Sequence, residues 1–248
     1  MIKFFRKIRQ NLISENRFSK YIMYAIGEIG LVVIGILLAL QINNWNLNRL
    51  DRIAEGKLLV NILQDLKKDR EVFSLNINNN NYHIAVLDTM LHEISFNPDY
   101  SISDFLRHNQ LYSFYGAFLP TKGTYLEGLS SGNLSLILSD SLRRNILDYY
   151  EVELQTLGPD IIIANDMNNL RAKWNDILSH SMEYAMAFGV RTNFPNLNIQ
   201  EISNNPDYRK LLIQKRGLVQ AQIGEWERVK VVNERLIQFI ESKLELKN

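Results

Sequence analysis

Between Tyr21 and Ile42 the only strongly polar residues are Glu28 and Gln41, and from Ile29 to Leu40 no polar face exists at all. A helix over these 22 positions rises about 33 Å, enough for a hydrocarbon core of about 30 Å. Tyr21 and Tyr24 stand at one edge and Trp45 at the other, where amphipathic rings sit in a bilayer. The pattern predicts a transmembrane helix over 21–45. A cleavable signal peptide shares the plan of a basic start followed by an apolar run. Here the basic region is too long, the apolar run exceeds the usual length, and Leu37-Leu38-Ala39 gives no small-x-small cleavage site, so an uncleaved signal anchor is expected.

Past the span the pattern turns from continuous to periodic. Leu59, Leu63, Leu66, Arg70, Phe73, Ile77, Asn80, Ile84, Leu87, Leu91 and Ile94 follow an unbroken 4-3 spacing with no proline. That predicts a long helix in which Arg70 and Asn80 are polar seam positions able to set register. Asparagine favours turns, so a hairpin at Asn78 to Asn81 stands as the alternative. Asn97-Pro98-Asp99 ends the element. Ser103-Asp104 is expected to cap a short helix to about Gln110, and the aromatic stretch Leu111 to Leu119 to form a buried connection. A second short helix, Thr124 to Ser131, is expected to stop at Gly132 in a left-handed cap.

Asp140 opens a helical run with Leu142, Ile146, Tyr150, Leu154 and Leu157 on one face, which Gly158-Pro159 breaks or kinks. Asp160 restarts a helix carrying Ile163, Met167, Leu170, Trp174 and Ile177 toward Ala187. After an irregular segment, Pro206 suits a first helical position. The helix it starts runs to about Leu246 with Leu212, Val219, Ile223, Trp226, Val229, Leu236 and Ile240 inward. Strand-like alternation is nearly absent. The expected fold is all-α: an N-terminal transmembrane helix followed by an elongated antiparallel helical bundle.

Charge orients this plan. Lys3, Arg6, Lys7, Arg9, Arg17 and Lys20 stand against Glu15 alone in residues 1–20. The excess of positive charge before the span places the N-terminus in the cytoplasm and residues 46–248 outside the inner membrane. The domains expected are thus a basic cytoplasmic segment over 1–20, a transmembrane helix over 21–45 and a periplasmic helical domain over 46–248. In the first segment Ile2, Phe5, Ile8, Leu12 and Ile13 lie near one helical side, with Lys3, Arg6, Lys7 and Arg9 elsewhere. It reads either as an amphipathic helix on anionic headgroups or as a topology signal that needs no fold. The whole chain is nearly neutral, 28 Lys+Arg against 27 Asp+Glu, so residues 46–248 are slightly acidic and have no basic field for nucleic acid. Zero cysteines exclude disulfides, thiolate metal sites and cysteine nucleophiles.

Glu28, between Gly27 and Gly30, shares a helical side with Tyr21, Gly35 and Ile42, and Gly35 with Ala39 makes a small-xxx-small pair. That side suits a partner helix. An acid in lipid costs a few kcal/mol, which favours a Glu28 that faces protein, is protonated, or both. Two readings follow: a recognition or proton-linked role inside a membrane complex, or a tolerated acid hydrogen-bonded across a homo-oligomer or reached by water.

The stretches MIKFFRKIRQNL, KYIMYAIGEIGLVVIGILLALQINNWN, TYLEGLSSGNLSLI (Thr124 to Ile137) and LRRNILDYY (Leu142 to Tyr150) together resemble an uncharacterised family of single-span membrane proteins. It is a domain-of-unknown-function family typical of the Bacteroidetes group. Glu28 with Gly27 and Gly30, and Ser131-Gly132-Asn133, match its pattern. The resemblance implies an inner-membrane anchor and a mostly helical outer domain, and it carries across no activity or catalytic residue.

No phosphate loop, dinucleotide fingerprint, serine elbow or His-Glu-x-x-His occurs. His83, His92, His108 and His180 are dispersed and read as surface or cap residues. Asp65, Lys67, Lys68, Asp69 and Glu71 read as a solvated helix side. Gly123-Thr124-Tyr125 and Ser130 to Asn133 flank a short helix, as plain caps or as an anion site of free N–H groups. Tyr112, Phe114, Tyr115, Phe118, Tyr125, Tyr149 and Tyr150 read as bundle core or as the lining of an apolar pocket. No enzyme, no cofactor and no metal is expected. The function expected is an accessory or scaffold subunit of an envelope complex, self-associating and embedded in the lipid bilayer. The alternative is a periplasmic ligand-binding sensor signalling through a partner, since only about 20 residues remain inside.

Overall fold

The computed structural model describes residues 18–101, 103–105, 107–108, 118–154, 165–166, 168–170, 172–173 and 199–245. Outside them lie the basic segment with Lys3, Arg6, Lys7 and Arg9, the Gly158-Pro159 break, His180, Tyr112, Phe114, Tyr115 and most of the arm beginning at Asp160. The described residues are helical and contain no strand. The chain divides into two units, Met1–Glu55 and Gly56–Asn248.

Helix α1, Phe18–Phe96, contributes to both units. In the first, every residue from 31 to 50 is exposed, among them Leu31, Ile34, Leu37, Leu38, Ile42 and Trp45. Among the described residues, one helix is long and apolar enough to cross a membrane, and none of its most apolar stretch is buried in protein. Water is a poor solvent for such a surface, since each apolar side chain left exposed forgoes about 1.5–3 kcal/mol of burial.

In the second unit, α1 pairs antiparallel with α5, Pro206–Glu245. Arg209 donates to the Ile94 carbonyl at 3.3 Å and Arg216 clasps Asp88 toward one end, Asn80 meets Gln222 midway, and Lys67 pairs with Glu241 at 2.7 Å toward the other. Asn205 caps α5 by accepting from the Asp207 and Tyr208 N–H groups at 2.9 and 3.3 Å, and Pro206 takes the first helical position as expected. Along α5 the buried residues Leu212, Lys215, Val219, Gln222, Trp226, Val229, Asn233, Leu236 and Ile240 alternate steps of three and four. The sequence reading found the apolar members of this row and passed over Lys215, Gln222 and Asn233.

The asparagine run does not turn. Helix α1 passes straight through it because Asn80 is buried and satisfied by Gln222, while Asn78, Asn79 and Asn81 face solvent. Tertiary packing overrides a weak local preference. The helix ends at Phe96, where Asn97 accepts the Asp99 N–H at 2.9 Å, as the Asn-Pro-Asp signal predicts. The next cap is Ser101 rather than Ser103-Asp104. Its hydroxyl accepts the Asp104 N–H at 3.1 Å and donates to the Asp104 carboxylate at 2.8 Å, which puts Asp104 inside the first turn.

The small elements are α2, Gly123–Ser130, a 3₁₀ turn, Asn133–Leu136, and α3, Asp140–Asp148, whose Ser139 cap accepts the Leu142 N–H at 3.3 Å. A π turn, Tyr149–Glu153, interrupts the run expected from Asp140 and directs both Tyr149 and Tyr150 inward. Helix α4, Ile199–Asn204, precedes α5. Two apolar clusters form the core of this unit. One gathers Leu59, Leu66, Phe73, Ile146 and Trp226 with their neighbours, the other Met90, Phe105, Tyr208 and Leu212 with theirs.

Gly132 sits at φ 75°, the left-handed region the sequence reserved for it after α2. Gly132→Ala is expected to cost about 1 kcal/mol through the strain of a Cβ at positive φ. A lowered denaturation midpoint by circular dichroism of the chain in detergent checks this.

Candidate functional site

The most concentrated polar chemistry in the second unit surrounds two carboxylates that were expected to face water. Asp65 and Asp69 lie one turn apart on α1, and both are buried, Asp69 completely. Of the supposed charged side, Glu71 and Lys68 are exposed and Lys67 is half-buried. The two acids differ because they share the inward row Leu58, Ile62, Asp65, Asp69, on which the 118–124 segment and α2 pack.

Asp69 Oδ1 accepts the Thr121 N–H at 2.9 Å, and Asp65 Oδ2 accepts the Thr124 N–H at 3.4 Å. Of these two, the Thr124 N–H belongs to the first turn of α2 and is met by the protein's own Asp65, while Thr121 lies just ahead of the helix. The remaining Asp69 oxygen accepts the Tyr149 hydroxyl at 3.2 Å. Asn233 of α5 donates through Nδ2 to that hydroxyl at 3.0 Å and to the Leu66 carbonyl at 3.1 Å. Three elements distant in sequence thus meet on one buried carboxylate.

The aromatic residues around it are core, and this holds for each described member of the expected cluster. Tyr125 stacks on Tyr150 with centroids 4.4 Å apart, Tyr150 meets Tyr149 edge-on at 5.0 Å, and Phe118 stacks on Phe73 at 3.9 Å. Gly128 lets α2 close on α1, since a Cβ there would lie 3.3 Å from both Leu58 and Leu134 side chains. The Tyr150 hydroxyl and Asn233 Oδ1 are buried without a hydrogen-bond partner among the described residues.

Burial pushes the Asp69 carboxyl above its ordinary range, and the like charge of Asp65 adds to this. The Thr121 N–H and hydroxyl and the Tyr149 hydroxyl oppose it without cancelling it. Burial, then the charge of Asp69, raises Tyr149, and burial with both acids raises Tyr150. Tyr125 is pushed up to about 12 by burial and by Glu151.

A second polar layer separates the two apolar clusters. Asn80 donates to Gln222 at 2.9 Å, both fully buried, with His83 and Lys215 buried nearby. His83 is therefore not the surface residue expected. Burial lowers its pKa, and the charge of Lys215 lowers it further. The other seam position, Arg70, is half-buried, and its carbonyl accepts the Ser74 hydroxyl at 2.9 Å. His92 is exposed beside Glu93, and His108 lies 2.7 Å from the Tyr100 hydroxyl, so no two described histidines converge. Among the described residues no group of three acidic, histidine or cysteine side chains is placed to hold a metal.

The membrane candidates lie in the first unit. Glu28, Gly27, Gly35 and Ala39 are exposed on α1 and Gly30 is half-exposed, and a Cβ at any of these three glycines would meet nothing within 4 Å. Sequence reasoning missed Asp65, Asp69, Tyr149 and Asn233 as one cluster. The available signal was the second 4-3-4 row, 58, 62, 65 and 69, running beside the first.

Among the described residues these features define an all-helical protein with one apolar N-terminal helix able to span a bilayer and a body in which buried polar side chains of distant elements meet. The chain belongs to the family of unknown function DUF6090, which it matches over residues 28–193. Neither a curated protein nor a solved structure matches it.

Asp69→Leu leaves the buried Tyr149 hydroxyl and the half-buried Thr121 N–H without their acceptor and is expected to cost about 2–4 kcal/mol. Tyr149→Phe, which strips one bond from Asp69 and one from Asn233, is expected to cost about 1–3 kcal/mol. Urea unfolding of each variant in detergent, read against the parent chain, measures both.

Proposed function

We propose that the chain is a single-span inner-membrane protein whose helical body, residues 46–248, stands on the periplasmic side and acts without catalysis as an accessory or scaffold subunit of an envelope complex. The observation that carries this reading is the fully exposed apolar stretch of α1, a surface that lipid or other membrane helices must cover. The excess of basic residues before the stretch supports a cytoplasmic N-terminus. Self-association runs through the side bearing Glu28, Gly35 and Ala39, where small residues admit a close neighbour and the acid finds a hydrogen-bonding partner away from lipid. In the body, the polar pairs between α1 and α5 favour a rigid post over a catalytic cleft.

Crosslinking in native membranes with mass spectrometry tests the reading. A stoichiometric partner or a defined homo-oligomer is the expected outcome. A monomeric chain carrying a bound small molecule overturns it in favour of a sensor. Glu28→Leu is expected to weaken assembly while leaving insertion intact. An unchanged oligomer size on a detergent column removes Glu28 from the interface.

A further inference from the structure

Asp65 and Asp69 bring two carboxylates, one turn apart on α1, into the interior of the body. The contacts made to them favour the charged form. Asp69 accepts the Thr121 N–H at 2.9 Å and the Tyr149 hydroxyl at 3.2 Å, Asp65 accepts the Thr124 N–H at 3.4 Å, and a carboxylate held by donors keeps its charge. Positive charge is scarce around them. Among the described residues the ion pair that reaches either acid is Lys68 to Asp65 at 3.6 Å, and the Lys68 side chain is 65% exposed. Buried charges are paired or hold metal ions, and a solvated lysine on one of the two acids leaves most of this charge unbalanced.

Two further oxygens beside the acids lack a counterpart. The Tyr150 hydroxyl is buried with no hydrogen-bond partner among the described residues, although the charges of both acids act on it. Asn233 Oδ1 is also buried without a partner, while Nδ2 of the same carboxamide donates to the Tyr149 hydroxyl that is bound to Asp69. The Leu66 carbonyl, which takes the other Nδ2 hydrogen, fixes which end of this carboxamide is oxygen. The interior therefore presents two carboxylates, an amide oxygen and a phenol oxygen. Oxygen-only sets suit hard cations of the calcium class, where zinc and copper favour nitrogen and sulfur.

We infer that Asp65 and Asp69, with Tyr150 and Asn233 Oδ1 supplying neutral oxygens, form a buried site for a hard, oxygen-seeking cation such as Ca²⁺. The acids come from α1, Tyr150 from the π turn and Asn233 from α5, so an ion there ties these three together. It also steadies the two carboxylates on which the Thr121 and Thr124 N–H groups rest. The site lies within the body, and its failure would leave the scaffold reading untouched.

The test uses the full chain in detergent micelles, stripped with a chelator and titrated with Tb³⁺, whose luminescence is excited through tyrosines close to it. Saturable luminescence that excess Ca²⁺ displaces is expected, because Tyr149 and Tyr150 border the site. Asp69→Asn and Asp65→Asn are each expected to weaken Tb³⁺ binding about tenfold or more. Glu127→Gln, on the exposed side of α2, is expected to leave it unchanged. Added Ca²⁺ is expected to raise the thermal midpoint of the parent chain and not that of Asp69→Asn. A parent chain without saturable binding, its two oxygens satisfied by ordered water alone, overturns the site, as does binding that survives both aspartate substitutions. Should the aspartate variants misfold, Tyr150→Phe decides, since it breaks no hydrogen bond shown here. Weaker binding upholds the site, and an affinity equal to the parent's refutes it.

Discussion

The pairing of α1 with α5 is the interaction on which the body depends. The inward row of α5, in unbroken steps of three and four from Leu212 to Ile240, buries polar residues after every one or two apolar ones. Gln222 is matched to Asn80 and Asn233 to the Leu66 carbonyl. A slip of the two helices by one turn would keep most of the apolar burial and break both polar matches. An unsatisfied buried polar group costs about 1–3 kcal/mol, so register is decided by these few bonds while cohesion comes from Trp226, Phe73, Leu66 and their neighbours.

The smaller elements attach to this pair through a different balance. Aromatic stacking supplies their burial, but their position is set by Asp69, which gathers the 118–124 segment, the π turn and, through Tyr149, α5. A neutral acceptor would serve the same geometry at lower desolvation cost.

The apolar part of α1 in the first unit obeys another rule. Its side chains point outward all round, the reverse of the body, where apolar residues are gathered and charges dispersed. Both arrangements follow from the same preference for apolar groups to leave water, with a bilayer replacing a protein core as the destination. Membership of the DUF6090 family fits a chain that combines the two, since the matched residues take in apolar positions after Glu28 as well as much of the body.

Much of the fold was legible along the chain because its cause is local. The continuous apolar run, the 4-3 spacing from Leu59 to Ile94, the stop at Asn97-Pro98, the left-handed Gly132 and the start at Pro206 each depend on residues within one or two turns of one another. The site was not legible, because whether Asp65 and Asp69 face water depends on what packs over them. The groups that do so, Thr121 and Tyr149, lie 52 and 80 residues from Asp69. Helical periodicity alone determined that these acids share a side of α1 with Leu58 and Ile62. Only the tertiary structure decided that this side is covered, since burial of a charge is a property of the assembled neighbours and no local pattern records it.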